Sequence, residues 1–320
     1  MTAIGIGITA LTVLILATEC LRRKRGALPA YGWIAGISLL AAEWLMFRGI
    51  TPLSIYFTPI AWTCYILLTD AAVFVVNGRS RLHDQPKPFA LVALLSIPLW
   101  LLFEAYNLRL QNWVYVGVPR QWFWGLLGYG WSFATITPGI FETADLIEAF
   151  GWFSPARPVE FSSTTQSAMI FFGAACLLLP LVVAQPIARY LFVLVWLGFI
   201  FLLDPINHRL CLPSLLSELA AGRRKHFYSL LIAGWVCGWL WEFWNFWAAA
   251  KWHYIFPMFQ TCKIFEMPAP GYLGFLPFAL ECRVMYVTAA GALGIIKTAK
   301  PSCAEPSPEA EPQRPLSGMR

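Results

Sequence analysis

Long apolar runs recur along almost the whole chain, and they decide what it can fold into. Nine of them stand at roughly 2–20, 29–47, 54–76, 88–107, 122–146, 167–184, 187–206, 227–250 and 271–297. About 20 apolar residues is the length an α-helix needs to cross the hydrocarbon of a bilayer. Hydrophobic residues make up 58% of the sequence and charged residues 12%, about half the charge of an ordinary soluble domain. One water-facing globule could not cover so much apolar surface, so the lipid bilayer is the expected partner. The expected fold is an all-α polytopic membrane protein of about nine transmembrane helices, because a helix satisfies its own backbone where water is scarce.

The charges that remain are clustered between the runs. Arg22 to Arg25, then Arg79, Arg81 and Lys87, then Arg209 and Arg223 to Lys225 fall in alternate loops, while Arg48, Arg109, Arg120 and Lys251 fall in the others. This bias reads as a topology signal, and no nucleic-acid partner is expected from the net charge of +6. Basic residues follow the first apolar run instead of preceding it, so that run reads as a retained helix and not a signal peptide. The expected topology puts the N-terminus outside and the C-terminus in the cytoplasm. Residues 300–320, rich in Pro, Glu, Ser and Ala, are expected to be a disordered cytoplasmic tail. No Asn-x-Ser/Thr sequon occurs, which fits a prokaryotic inner membrane.

The chain repeats itself. Trp62-x-x-Tyr65-Ile66-x-Leu68-x-Asp70 returns as Trp196-x-x-Phe199-Ile200-x-Leu202-x-Asp204. Ser80-x-Leu82 returns as Ser214-x-Leu216, and Leu102-Phe103-Glu104-x-Tyr106-Asn107 returns as Leu240-Trp241-Glu242-x-Trp244-Asn245. Trp113-x-Tyr115 returns as Trp252-x-Tyr254, and Pro138-x-x-x-Glu142 as Pro277-x-x-x-Glu281. Five matches in order, each with a polar or aromatic residue, divide the chain into an N-terminal helix and basic loop (1–28), a first membrane repeat (29–166), a second (167–299) and the tail (300–320). Four spans per repeat is an even number, so both copies point the same way through the membrane, about a pseudo-twofold axis along its normal. Two aromatic-rich stretches, 108–121 and 251–270, are expected to lie along the outer interface or to re-enter.

An acidic residue near the bilayer centre costs roughly 2.5–3.5 kcal/mol on insertion scales, and the repeat holds such acids in pairs: Asp70 and Asp204, Glu104 and Glu242, Glu142 and Glu281. Glu104 and Asn107 share a helical face, as do Glu242 and Asn245. The plain alternative is structural, a carboxyl group hydrogen-bonded to a neighbouring helix. For the aspartates that alternative extends to helix ends, since Pro205 follows Asp204, and Ser80 and Ser214 read as caps or loop residues. The 16 tryptophans form an interfacial belt or line a cavity whose ring faces favour a cation. The four histidines are scattered and the eight cysteines form no CxxC pair, so neither a metal nor a cofactor is expected. Nucleotide and serine-hydrolase motifs have no counterpart here.

The string Trp241-Glu242, Trp252-x-Tyr254, Gly271-Tyr272 and Leu276-Pro277-Phe278-Ala279-Leu280-Glu281 resembles the membrane-embedded lycopene cyclase domain family and, more distantly, the membrane hydratases of carotenoid synthesis. That family has a Trp-Asp, a Trp-x-Tyr some nine residues on, and a glycine-containing turn into a Pro-Leu-Glu-Glu helix, and it works as a pair of homologous units. Here Glu242 stands for the aspartate, and a single acid, four residues beyond the proline, stands for the paired acids. The resemblance implies a hydrophobic isoprenoid substrate and ring closure through protonation, without net redox change. In that scheme Glu281 and Glu142 donate protons and Glu242 and Glu104 are partner carboxylates. Asn245 and Asn107 orient them, and Trp241, Trp244, Tyr254, Tyr115, Asp204 and Asp70 contact substrate. Two other classes remain open: a small-molecule or proton-coupled transporter, for which parallel repeats and midplane acids are equally suited, and a scaffold whose acids lock helices together.

Overall fold

In the computed structural model, residues 1–296 are described; the expected tail lies outside them. The elements are α1 (Thr2–Arg23), α2 (Ala30–Phe47), α3 (Phe57–Asn77), α4 (Arg81–Asp84), α5 (Pro86–Leu110), β1 (Trp113–Val116), α6 (Trp122–Ala149), α7 (Ser163–Val182), α8 (Gln185–Ala188), α9 (Phe192–Arg209), α10 (Leu215–Ala220), α11 (Lys225–Trp247), β2 (Lys251–Tyr254), β3 (Lys263–Ile264), β4 (Met267–Pro268), a 3₁₀ turn (Ala269–Gly274) and α12 (Phe275–Ala292). The fold is mostly helical. Among the described residues, seven segments are long and apolar enough to cross a membrane: α1, α2, α3, α5, α7, α9 and the 3₁₀ turn with α12. The other two long helices, α6 and α11, carry more Trp, Gly and polar residues. They pack on one another and on the helices around them; α11 is largely enclosed by protein and so is α6 from Phe133 on, whereas the start of α6 exposes Trp122, Phe123 and Leu126.

Neighbouring helices repeat the same packing. As α2 lies on α3, α7 lies on α9; as α3 lies on α6, α9 lies on α12; as α5 lies on α6, α11 lies on α12. Each half runs long helix, long helix, short helix, long helix, strand, long helix. The halves differ in α8, and in the β3–β4 hairpin and 3₁₀ turn, which occupy the stretch preceding the last helix.

The little sheet there is falls in the two aromatic stretches, 108–121 and 251–270. β1 and β2 form an antiparallel ladder that joins the halves, with Trp113 opposite Tyr254 and Tyr115 opposite Trp252; β3 and β4 form a second. Four-residue strands are too short for a clear alternation of apolar and polar residues. The expectation that Asp204-Pro205 ends a helix is corrected: α9 runs through Pro205 to Arg209, and the Asp204 carboxylate instead accepts from the Leu215 and Leu216 amides beyond the helix. A further correction concerns 187–190, which belong to α8 and its turn.

The sheets gather at one end of the bundle with Arg48, Arg109, Arg120, Arg189, Lys251 and Lys263. There Ala249 donates to Ser54 and Ile255 to Asn112. The opposite, more basic end carries Arg22 to Arg25 and Arg223 to Lys225, where Arg25 donates to the Val75 carbonyl and Ala156 to the Gly222 carbonyl. At that end Asp70 and Asp204 are buried. Asp70 accepts from Leu82 N (2.9 Å), Ser80 Oγ (2.9 Å) and Tyr31 OH (2.7 Å). Asp204 accepts from Leu215 N (2.8 Å) and Leu216 N (2.9 Å). Ser80 and Ser214 cap α4 and α10. Arg81 and Asp145 add a two-pronged ion pair at 2.6 and 2.9 Å.

Candidate functional site: an aromatic cavity beneath the sheet

Beneath β1 and β2 lies a cavity of about 130 Å³. Trp62 of α3, Trp100 of α5, Trp113 and Tyr115 of β1, Trp241 of α11, Trp252 and Tyr254 of β2, and Phe278 of α12 line it. Its floor is a cluster of rings: Trp62 and Trp241 have centroids 4.9 Å apart, Trp241 and Phe278 5.8 Å, and Trp100 and Phe278 5.9 Å. Trp62 reaches this position because α6 has glycine at 139. A Cβ there would stand 2.8 Å from the Trp62 ring, closer than packed carbon atoms approach.

Carboxyl groups stand behind two of the walls. Glu104 Oε1 accepts from Trp100 Nε1 (2.9 Å), Trp113 Nε1 (3.2 Å) and Tyr115 OH (2.5 Å). Glu242 Oε1 accepts from Tyr254 OH (3.0 Å), while its buried Oε2 has no partner among the described residues. Both tyrosines therefore bridge a wall of the cavity and a carboxyl group. Burial, then the adjoining Glu242 carboxyl, holds the Tyr254 hydroxyl well above the ordinary phenol range. Burial and Glu104 do the same for Tyr115.

The asparagines have a different role from the expected one. Neither bonds a glutamate. Asn107 Oδ1 accepts from the backbone of Asn112 (2.8 Å) and Trp113 (3.2 Å), and its Nδ2 donates to the Trp113 carbonyl (2.9 Å). Asn245 accepts from Trp252 N (3.0 Å) and donates to its carbonyl (2.9 Å). One helical turn from each glutamate, the same face thus holds the strand whose tyrosine reaches back to that glutamate.

Glu142 and Glu281 are fully buried, and all four of their carboxyl oxygens lack a hydrogen-bond partner among the described residues. They bond neither to each other nor to Glu104 or Glu242. Glu281 lies one turn deeper than Phe278, and Glu142 one turn deeper than Gly139, so the aromatic floor separates both from the cavity. Asp70 and Asp204 do not line it either, being occupied at the basic end with the amides that follow α3 and α9. Of the expected substrate contacts, Trp241, Tyr254 and Tyr115 line the cavity. Trp244 sits behind Trp62, ring centroids 5.2 Å apart, and donates Nε1 to Glu43 at 3.0 Å.

No known protein family, no curated protein and no solved structure matches the chain.

Sequence reasoning missed Trp62, Trp100, Trp196 and Glu43. Trp62 and Trp196 open the first repeated motif, and Trp100 precedes Glu104 by one helical turn, so both signals were present. Glu43 was visible as the lone acid in an otherwise apolar run, a position that asks for a partner.

Proposed function

We propose that this protein is an intramembrane enzyme that protonates a hydrophobic, isoprenoid-like substrate and rearranges it without net redox change, in the manner of a cyclase or hydratase. The observation that carries this reading is the pairing of each cavity tyrosine with a glutamate, Glu242 buried and Glu104 half-buried, inside a wall of tryptophan faces. A proton passes from the Tyr254–Glu242 pair to one carbon of a double bond. The resulting cation is attacked by the electrons of a second double bond, closing a carbon–carbon bond, and a proton is lost to the Tyr115–Glu104 pair. Ring faces favour such a cation by about 2 kcal/mol when desolvated. The Tyr115–Glu104 pair then releases its proton to water and the Tyr254–Glu242 pair regains one, which restores the site; Glu142 and Glu281, which do not line the cavity, are not direct donors.

The likeness of Trp241-Glu242, Trp252-x-Tyr254 and Pro277 to Glu281 to the lycopene cyclase domain family points the same way. The shared element order and the equivalent bonds of Asn107 and Asn245 support descent from a duplicated four-helix unit. On that reading nine helices cross the bilayer, α6 and α11 within the bundle, and the basic end faces the cytoplasm of a prokaryotic cell.

Proton-coupled transport is the second reading, favoured by the unpartnered Glu142 and Glu281 lying between the cavity and the basic end. The test is expression in a host that accumulates lycopene or polyprenols. The enzyme yields a new compound, isomeric with or hydrated from the precursor, and Tyr254→Phe lowers it about a hundredfold, the scale of a lost general acid. Identical lipid profiles with and without the wild-type protein exclude the enzyme on these substrates.

A further inference from the structure

A second cavity of about 300 Å³ lies beside the first, where the start of α9 meets the 3₁₀ turn and the segment after β2. Its lining includes Val193, Leu197, Phe256, Phe259, Leu273 and Pro277, with no charged side chain. Val193, Phe259 and Leu273 are exposed at its mouth. Two of its walls, Phe192–Arg209 and Ala269–Ala292, are segments long and apolar enough to cross a membrane, so the mouth opens toward lipid.

Trp196 belongs to the lining of both cavities. Its ring rests on Gly274, where a Cβ would stand 2.2 Å from the indole, and against Phe278, centroids 6.2 Å apart. The equivalent Trp62 is enclosed by Trp241, Trp244 and Tyr65 and is 1% exposed. Trp196 is only partly buried. Trp196 also meets Phe192 and Phe275, yet it stays partly exposed and forms a wall common to both cavities, whereas Trp62 lines the inner cavity alone.

We infer that Trp196 gates a lateral entrance, with the outer cavity holding the hydrocarbon tail of an isoprenoid whose reacting end lies beneath the sheet. Lateral entry presupposes that the inner cavity takes such a chain. The inner volume alone is below the roughly 300–1,000 Å³ of most small-molecule sites, and the outer cavity supplies the missing length. Its lining, uncharged and apolar except for Tyr190, suits a hydrocarbon.

The test is photolabelling of the full-length protein in lipid nanodiscs with a diazirine-bearing geranylgeraniol, with labelled peptides mapped by mass spectrometry. Wild-type protein is expected to label on both sides of Trp196, in segments 255–259 and 239–247. Val193→Trp, which fills the outer cavity, is expected to cut inner labelling about tenfold, while Leu178→Trp at an exposed position elsewhere leaves it unchanged. Undiminished inner labelling in Val193→Trp overturns lateral entry and leaves the inner site standing. No inner labelling in wild-type protein overturns both. Trp196→Ala supplies an independent arm: removing the shared wall is expected to speed inner labelling, and an unchanged rate overturns the gate even if Val193→Trp does not fold.

Discussion

Tyr115 stands opposite Trp252 in the sheet that joins the two halves, as Trp113 stands opposite Tyr254. The pairing is reciprocal: each half's tyrosine faces the other half's tryptophan while reaching back to its own glutamate. Displacing either strand therefore disturbs both tyrosine–glutamate pairs, and the cavity beneath them behaves as one unit.

The anchors of that sheet are Asn107 and Asn245. Asn245→Ala removes two hydrogen bonds to Trp252 and is expected to destabilise the protein by about 1–3 kcal/mol, seen as a lower midpoint of thermal unfolding in detergent. Because both anchored strands pair with each other, Asn107→Ala and Asn245→Ala should couple in a double-mutant cycle by at least about 0.5 kcal/mol. Strict additivity contradicts the joint role.

Asp70 and Asp204 hold backbone amides at the basic end and do not line the cavity, so their substitution is expected to change stability and not ligand binding. Asp204→Asn replaces one acceptor of the Leu215 and Leu216 amides and is expected to cost about 1.5–3 kcal/mol, measured by the same unfolding experiment. Photolabelling of the inner cavity by the isoprenoid probe should be unchanged in the folded fraction. A selective loss of labelling would place the aspartates in the site after all.

What the sequence disclosed follows from the range of the interactions. Apolar length located α1, α2, α3, α5, α6 and α11 to within a few residues, since crossing length depends on local composition alone. The offset repeats located Glu104 with Asn107, and Glu242 with Asn245, because one helical turn links each pair. The ladder between β1 and β2 was hidden: its strands are four residues each and pair across more than a hundred positions. The same distance hid Trp244 on Glu43 and Trp62 on Trp241. Glu142 and Glu281 were found as buried acids, but their depth relative to the cavity depends on Trp62 and Phe278 packing above them, which no local pattern encodes.

Gly139 sets the depth of the floor. Gly139→Ala brings a Cβ to 2.8 Å from Trp62 and is expected to cost about 1–3 kcal/mol through overpacking. It should also weaken isoprenoid labelling, as Trp62 is pushed into the cavity. Gly7→Ala, whose added carbon meets nothing within 4 Å, is the control. Equal unfolding midpoints for the two variants would contradict the packing.

The proposed orientation can be read from a native reporter. Cys262 is exposed beside β3 at the sheet end, so a membrane-impermeant maleimide added to spheroplasts should label it, and Cys262→Ser should lose that label. Ser163→Cys at the basic end should label only after the membrane is opened. The reverse pattern inverts the topology.

The central claim is that the tyrosine–glutamate pairs deliver a proton to carbon, and solvent isotope is its most direct test. Protein in nanodiscs supplied with lycopene or a polyprenol in deuterated water should form a cyclised or hydrated product carrying deuterium on carbon. Tyr254→Phe and Glu242→Gln should suppress both product and label together. A product without carbon-bound deuterium, or full incorporation in both variants, would contradict it.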